Sequence, residues 1–321
     1  MNTSAIASYA SLRTSALDMV PRLRARARVA EEARRLPQET VDELKDAGLF
    51  AIQKPARYGG LELGLEELVD LVAIVGRGCG STAWVYGVTA GRALLLAKFG
   101  DEVQQEVWAG ANDGLITSCI TPEGTADRVP GGYRVTGHWH FVSGIDIADW
   151  AVFCAMAETG RTGDPRVPTY FAIPISDCEV IDTWHVAGLA ATGSRDVKVS
   201  GAFVPEHRTV SMTDLREGGG PGTQCNPAGL YRLPLIAINP YPILAPVIGM
   251  AEAALELYVR QTSERRTAGT GVPLVQNQMV QMRVAQAESE IDAAKALVAQ
   301  DCRDAMATVA RGESLTVEQR I

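Results

Sequence analysis

The sequence predicts an α+β protein: an N-terminal helical domain, a central β-barrel or sandwich domain, and a C-terminal bundle of long helices. Three observations carry that expectation. Apolar residues recur at helical spacing over roughly the first third of the chain. The period then changes to short β-branched and aromatic runs cut by Gly, Pro and Asp turns. After a glycine- and proline-rich interval, helical spacing returns over two long stretches. The expected domain bounds are 1–112, 113–212 and 213–321. No βαβ alternation, internal repeat or G-x-G-x-x-G after a strand is present, which disfavours a doubly wound nucleotide-binding fold.

The first expected helix covers residues 5–35, with Leu12, Leu17, Val20 and Leu23 on one face and arginines on the other. A second begins near Pro37, tolerated in a first turn, and stops at Gly48, a natural C-terminal cap; Val41, Leu44 and Ala47 fall at helical spacing. Tyr58-Gly59-Gly60 reads as a turn, residues 65–76 and 81–99 as more apolar helices, and 101–108 as a short one.

Six strands are expected, at 115–120, 133–142, 150–157, 170–174, 179–184 and 197–204. So many strands without intervening helices suggest a sandwich or barrel. Residues 213–232, centred on Gly218-Gly219-Gly220-Pro221-Gly222, read as a mobile loop. Long helices follow at 243–265 and 272–311, and Thr316 opens what reads as another.

Composition narrows the class of partner. The 321 residues are 46% hydrophobic, enough for a sizeable core. With 38 acidic against 30 basic side chains the net charge is −8, which argues against nucleic acid or an anionic membrane as main partner. The six cysteines are scattered without C-x-x-C or metal-finger spacing, so reduced thiols in a cytoplasmic protein are the expectation. Arg22, Arg24, Arg26 and Arg28 interrupt any signal-like pattern, and no uninterrupted apolar run of membrane-spanning length is expected.

One stretch stands out. Residues 135–150, Val-Thr-Gly-His-Trp-His-Phe-Val-Ser-Gly-Ile-Asp-Ile-Ala-Asp-Trp, read as a strand, a small-residue corner and the start of a second strand. Trp139, Phe141 and Trp150 gather around Ser143-Gly144, a corner able to hold a flat, polar-edged ligand; singly, the same residues suit an ordinary core and an ordinary turn. His138-x-His140 places two imidazoles on one face of a strand, a spacing able to hold a metal, but no third ligand is identifiable and no metal is expected.

Several stretches together resemble the acyl-CoA dehydrogenase fold and, within it, the two-component flavin-dependent monooxygenases that hydroxylate 4-hydroxyphenylacetate, phenolic secosteroids and aromatic polyketides. They are residues 36–60, Cys79-Gly80-Ser81-Thr82-Ala83-Trp84, residues 116–124, the corner at 139–150, residues 184–208 with Thr192-Gly193-Ser194 and Phe203-Val204-Pro205, and residues 266–281. The resemblance covers nearly the whole chain, and six motifs occur in the family's order.

The resemblance implies an oxygenase component that uses reduced FMN or FAD and O2, through a C4a-hydroperoxyflavin, to hydroxylate an aromatic or polyketide-like substrate. Such an intermediate needs a dry pocket and a retained proton on flavin N5. The resemblance places the Ser143 hydroxyl beside N5, Trp139 and Phe141 as walls of the ring, Ser118 and Thr121 at its edge, and the Thr192 to Ser194 turn on its other side. It implies that Arg266, with Gln278 near it, meets a flavin phosphate in a neighbouring subunit. His140 becomes a candidate acid or base and Trp84 and Arg92 candidate substrate contacts. The implied partners are a separate NAD(P)H:flavin reductase and further copies of the chain, in a homodimer or homotetramer.

The sequence also departs from the pattern. Phenol hydroxylases of the family carry a histidine in the helix after the Trp84 motif, where this chain reads Gly91-Arg92-Ala93-Leu94-Leu95. The family's Gly-Leu-Arg-Gly-Thr-Gly-Ser appears as Gly188-Leu189-Ala190-Ala191-Thr192-Gly193-Ser194, without the arginine. The family continues for two or so helices, usually bearing an active-site histidine or carboxylate, beyond the point where this sequence stops. Two further readings therefore stay open: an acyl-CoA dehydrogenase, and a non-catalytic paralogue that binds flavin poorly.

Overall fold

The structure, a computed structural model, describes residues 8–109, 113–161 and 163–320. The expected helix residues 5–7 and the expected boundary at 112 lie outside the described residues. Five helices come first: α1 (Tyr9–Ala33), α2 (Gln38–Asp46), α3 (Leu65–Gly78), α4 (Gly80–Leu96) and α5 (Asp101–Trp108). Eight strands follow: β1 (Ile116–Cys119), β2 (Gly124–Val129), β3 (Gly132–Val142), β4 (Trp150–Ala157), β5 (Val167–Pro174), β6 (Glu179–Ile181), β7 (Arg195–Pro205) and β8 (Thr209–Ser211). Then come α6 (Met212–Arg216), α7 (Leu235–Ile238), α8 (Tyr241–Glu264) and α9 (Gln278–Ala310).

The helical core is built on α3 and α4. Leu65, Leu68, Leu71, Val72, Ile74 and Val75 of α3 are buried while Glu66, Glu67, Asp70 and Arg77 make a partly exposed polar stripe; nearly every residue of α4 is buried, as expected of a helix surrounded by neighbours rather than lying on a surface. α1 packs Leu12, Ala16, Met19 and Leu23 into this core, and α8 lies across α3 and α4.

One sheet runs in the order β6-β7-β3-β2-β4-β5-β8, with β1 added to β4 in parallel. β4 explains how the sheet joins the helices. Its alternate residues Ala151, Phe153 and Ala155 enter a small core between sheet layers, whereas Val152 and Cys154 enter the helical core. A strand buried on both faces reads as a continuous apolar run, which is why its bounds match the expectation.

Three expectations are corrected. β2 was absent from the sequence reading because its residues Gly-Thr-Ala-Asp-Arg-Val offer Ala126 alone to the core, yet it bridges β3 and β4. The interval 213–232 is ordered rather than a free loop. Leu230 and Tyr231 are buried, Lys98 Nζ donates to the Gly218 and Tyr231 carbonyls at 3.1 and 2.7 Å, and Arg57 Nε donates to Asn226 Oδ1 at 2.9 Å. Finally, the segment Leu235–Glu264 is long and apolar enough by length and composition to cross a membrane. It lies on the helical core here, with Val247, Leu257, Tyr258 and Val259 left exposed.

Candidate active site

The corner is made by a bulge in β3. Trp139 pairs with Val197 and Val142 with Arg195, so three steps along β3 match two along β7. Phe141 takes up the extra residue with φ 58°, a left-handed conformation that an L side chain rarely adopts. The usual alternation is thereby broken. Trp139 stays inside, fully buried, stacked on Phe153 at 4.4 Å, with Nε1 donating to the Cys154 carbonyl at 2.8 Å. Phe141 instead turns out, 71% exposed, its ring edge-to-face with Trp184 at 6.0 Å. The expectation of two aromatic walls is corrected: Trp139 is core, because its indole is enclosed and its N–H is used, and Phe141 alone faces outward.

Beyond the bulge, Ser143 enters a chain of hydrogen bonds whose direction follows from counting protons. Thr192 Oγ1 donates to the Leu189 carbonyl at 2.9 Å, so at 2.7 Å it must accept from Ser194 Oγ. Ser194 then has no proton left, and its 2.7 Å bond with Ser143 is donated by Ser143. Ser143 Oγ in turn accepts from Trp84 Nε1 at 3.0 Å. The series runs Trp84 to Ser143 to Ser194 to Thr192 to the backbone. It leaves the Ser143 hydroxyl with its proton committed and one lone pair free to accept.

The surrounding turns are fixed from α1. Glu31 accepts from Ser81 Oγ with one carboxylate oxygen and from the Ala190 amide, at 2.8 Å, with the other, tying α4 to the turn that carries Thr192. Arg34 grips Asp182 through both oxygens at 2.6 and 2.7 Å and donates to the Trp184 carbonyl at 3.1 Å. These bonds hold the Asp182 carboxyl down to about 2. Trp184 Nε1 donates to the Leu189 carbonyl at 3.1 Å. The two glycines of the corner are required: Gly144 and Gly193 both have positive φ, and a Cβ on Gly193 would come within 2.3 Å of Asp146 Oδ2. Burial pushes the Asp146 carboxyl upward even though Arg195 Nη1 lies 2.5 Å away. No sequence signal marked Glu31 or Arg34, since each acts on residues about 150 positions distant.

Along α4, Trp84, Val88 and Arg92 share one face, and Arg92 lies two turns or about 12 Å beyond Trp84. Arg92 is buried, donates from Nη2 to Asn239 Oδ1 at 3.0 Å and has no partner for Nε among the described residues. Burial lowers it to about 10. Beside Asn239 opens a cleft of about 530 Å³ lined by Ile120, Thr121, Tyr170, Leu235 and Ile236, mostly apolar with a few polar edges.

The remaining expected residues divide. Thr117 Oγ1 donates to the Ser143 carbonyl at 2.6 Å, and the neighbouring Ser118 Oγ is buried without a partner among the described residues. Thr121 lines the cleft. His140 Nδ1 lies 2.8 Å from Asp196 Oδ2, and its ring 6.2 Å from that of Phe141. Arg266 lies between α8 and α9 and Gln278 opens α9; both are exposed, and Arg266 Nη1 donates to the Gly271 carbonyl at 2.8 Å. Chemically, the corner offers one open aromatic face, one hydroxyl lone pair and one unpaired buried hydroxyl, which fit a flat ring with polar edges such as a flavin's.

The chain matches two family models, the acyl-CoA dehydrogenase N-terminal domain over residues 10–111 and the acyl-CoA dehydrogenase C-terminal domain over residues 241–321. It is 34% identical over 304 residues to the flavin-dependent monooxygenase oxygenase subunit HsaA of Rhodococcus jostii, a match that covers 94% of this chain and 79% of that protein. It is 35% identical over 298 residues to the oxygenase component of the FADH2-dependent resorcinol hydroxylase of a Rhizobium species, covering 91% and 71%. The crystal structure of the HsaA monooxygenase from M. tuberculosis superposes with a TM-score of 0.91 at 32% identity, over 98% of this chain and 80% of that one.

Proposed function

The chain belongs to the family of flavin-dependent monooxygenase oxygenase subunits built on the acyl-CoA dehydrogenase fold, and from that premise we propose that it hydroxylates an aromatic substrate at the corner made by Phe141 and Ser143. It is an oxidoreductase that works with reduced flavin. When bound, the reduced flavin activates dioxygen and delivers one oxygen atom to the substrate. The protein's part is to bind, orient and keep the site dry.

The observation that carries this reading is the direction of the Ser143 hydroxyl. With its proton given to Ser194, Ser143 can accept but not donate on its free side, which suits an N–H on the ring and holds that proton in place. Phe141 offers a ring face, and Ser118 an unpaired hydroxyl for a polar edge. The cleft beside Arg92 and Asn239 would take the substrate, with the Arg92 guanidinium polarising a phenolic or carbonyl oxygen. His140 lies on Asp196 and has no part in this reading.

The division of labour in the relatives' names, oxygenase subunit and oxygenase component, supports a separate NAD(P)H:flavin reductase as partner. The exposed apolar residues of α8, together with Met279, Met282 and Leu297 on α9, support burial of this face between copies of the chain. In such an assembly Arg266 and Gln278 would reach a flavin phosphate held mainly by another copy.

Flavin binding tests the proposal. FMN and FAD are titrated in both redox states, anaerobically for the reduced forms, and the reduced complex is then mixed with dioxygen while flavin absorbance is followed. Tight binding of a reduced flavin and slower return of oxidised absorbance than for free reduced flavin are expected. Reduction of bound flavin by an acyl-CoA, or failure to bind either reduced flavin, would overturn it.

A further inference from the structure

Two histidines and an aspartate meet on the outer face of β3 and β7, where the His140 ring lies 6.2 Å from that of Phe141. His138 and His140 stand two residues apart on one face of β3. The regular pairing of His138 with Lys198 and Trp139 with Val197 carries Asp196 of β7 opposite His140, and its Oδ2 lies 3.0 Å from His138 Nε2 and 2.8 Å from His140 Nδ1. The sequence showed no third ligand because Asp196 is 56 positions from His140 and only strand register joins them. The ligand atoms of the three residues all lie within 4.8 Å of one another.

We propose that His138, His140 and Asp196 form a binding site for a zinc-type divalent cation that cross-braces β3 to β7, a site independent of the flavin reading. The donor set is two imidazole nitrogens and one carboxylate oxygen, which selects zinc, nickel or copper over magnesium and calcium. Zinc holds such atoms at about 2.0–2.2 Å, which places tetrahedral donors roughly 3.3 Å apart, so the pairs here need open by only about half an ångström. The cation takes the place of the protons that the imidazoles now share with the carboxylate.

Access and charge agree with that assignment. Both imidazoles are half exposed, which gives an entry path, while the Asp196 carboxylate is largely buried beneath them. The Asp196 amide donates to Thr183 Oγ1 at 3.1 Å, which holds that residue in place. Glu123 lies beside His140, accepting from its amide at 2.9 Å, and Glu179 pairs across from Lys198. Lys198, register partner of His138, is the opposing charge on this face. Three carboxylates against one ammonium leave the neighbourhood anionic.

The test is competition for zinc between the reduced protein and a chromogenic chelator, with thermal unfolding measured beside it. Wild-type protein is expected to bind one zinc and to gain thermal stability with zinc but not with magnesium. The double variant His138→Gln/His140→Gln and the single variant Asp196→Asn should each bind at least about tenfold more weakly and lose the thermal shift. His207→Gln, at the ion pair with Glu106, serves as control and should change neither. Copper(II) spin resonance adds a readout independent of affinity, with coupling to two imidazole nitrogens in the wild type and its loss in the double variant. Equal zinc affinity in wild type and double variant, equal response to magnesium, or no nitrogen coupling would overturn the proposal.

Discussion

Trp139 and Phe141 stand two residues apart on β3, yet their rings lie on opposite sides of the sheet, Trp139 fully enclosed and Phe141 71% exposed. Regular alternation would have put both on one face; the bulge and the φ of 58° at Phe141 part them.

That separation predicts opposite phenotypes. Trp139→Ala should cost about 3–5 kcal/mol in urea unfolding, since it empties the core beside Phe153 and leaves the Cys154 carbonyl unpaired. Phe141→Ala should change stability by less than about 0.5 kcal/mol while weakening reduced-flavin affinity, read by anaerobic fluorescence titration. A stability loss at Phe141 equal to that at Trp139 would contradict the bulge.

The direction of the hydroxyl chain predicts that Ser194→Ala acts through Ser143. Without Ser194 as acceptor, the Ser143 proton becomes free to turn outward, and the side chain can then donate where it had accepted. The variant should keep its fold and bind oxidised flavin more tightly relative to reduced flavin than the wild type does. Measuring the bound flavin's reduction potential checks this: a more negative value is expected, and an unchanged one would remove Ser194 from the positioning role.

Arg92 predicts a trade between stability and function. Its guanidinium is buried with Asn239 as one acceptor and an unpaired Nε, so Arg92→Met should stabilise the fold by about 1–3 kcal/mol. The same substitution should abolish hydroxylation while leaving reduced-flavin binding intact. Thermal unfolding and product assays with reductase present distinguish the two effects.

Lys98 predicts a pH dependence. Burial lowers its amine to about 7, with two backbone carbonyls as acceptors. Below pH 7 folded and unfolded chains both hold the proton, and the full cost of burying the charge is present. From about pH 7 to the unfolded value of about 10.4 the unfolded chain binds more protons, so this group adds stability as pH rises, by at most about 1.4 kcal/mol per pH unit. Denaturant titrations across that range should show the slope in wild type and not in Lys98→Met, whatever the absolute loss from the two broken hydrogen bonds.

Glu31 should behave as a remote brace. Glu31→Ala removes the acceptor shared by Ser81 and the Ala190 amide and should cost about 1.5–3 kcal/mol. Hydrogen exchange should rise at Ala190 and its neighbours, and exchange confined to α1 would count against the brace.

The helices and β4 were legible in the sequence because their signal is local: α4 is buried on nearly all sides, α3 and α5 show amphipathic spacing, and β4 is a run buried on both faces. The order of motifs was enough for the family and its cofactor class, and Ser143, Ser194 and Thr192 were named from it. β2 was not legible, since Gly-Thr-Ala-Asp-Arg-Val carries almost no apolar pattern and is a strand only because β3 and β4 flank it. The same holds for residues 213–232, whose glycines read as freedom until Lys98 and Arg57 are seen to hold them.

By itself, then, the sequence determined the succession of helices, strands and helices and the cluster of small and aromatic residues around Ser143, all of it written in spacing along the chain. The tertiary structure alone decided which aromatic faces outward, which way the hydroxyl chain runs, and that Asp196 joins His138 and His140. The first and last of those depend on strand register, which is set by pairing between residues far apart in the chain, where a one-residue bulge can reverse a face, and the second depends on the Leu189–Thr192 turn meeting Ser143.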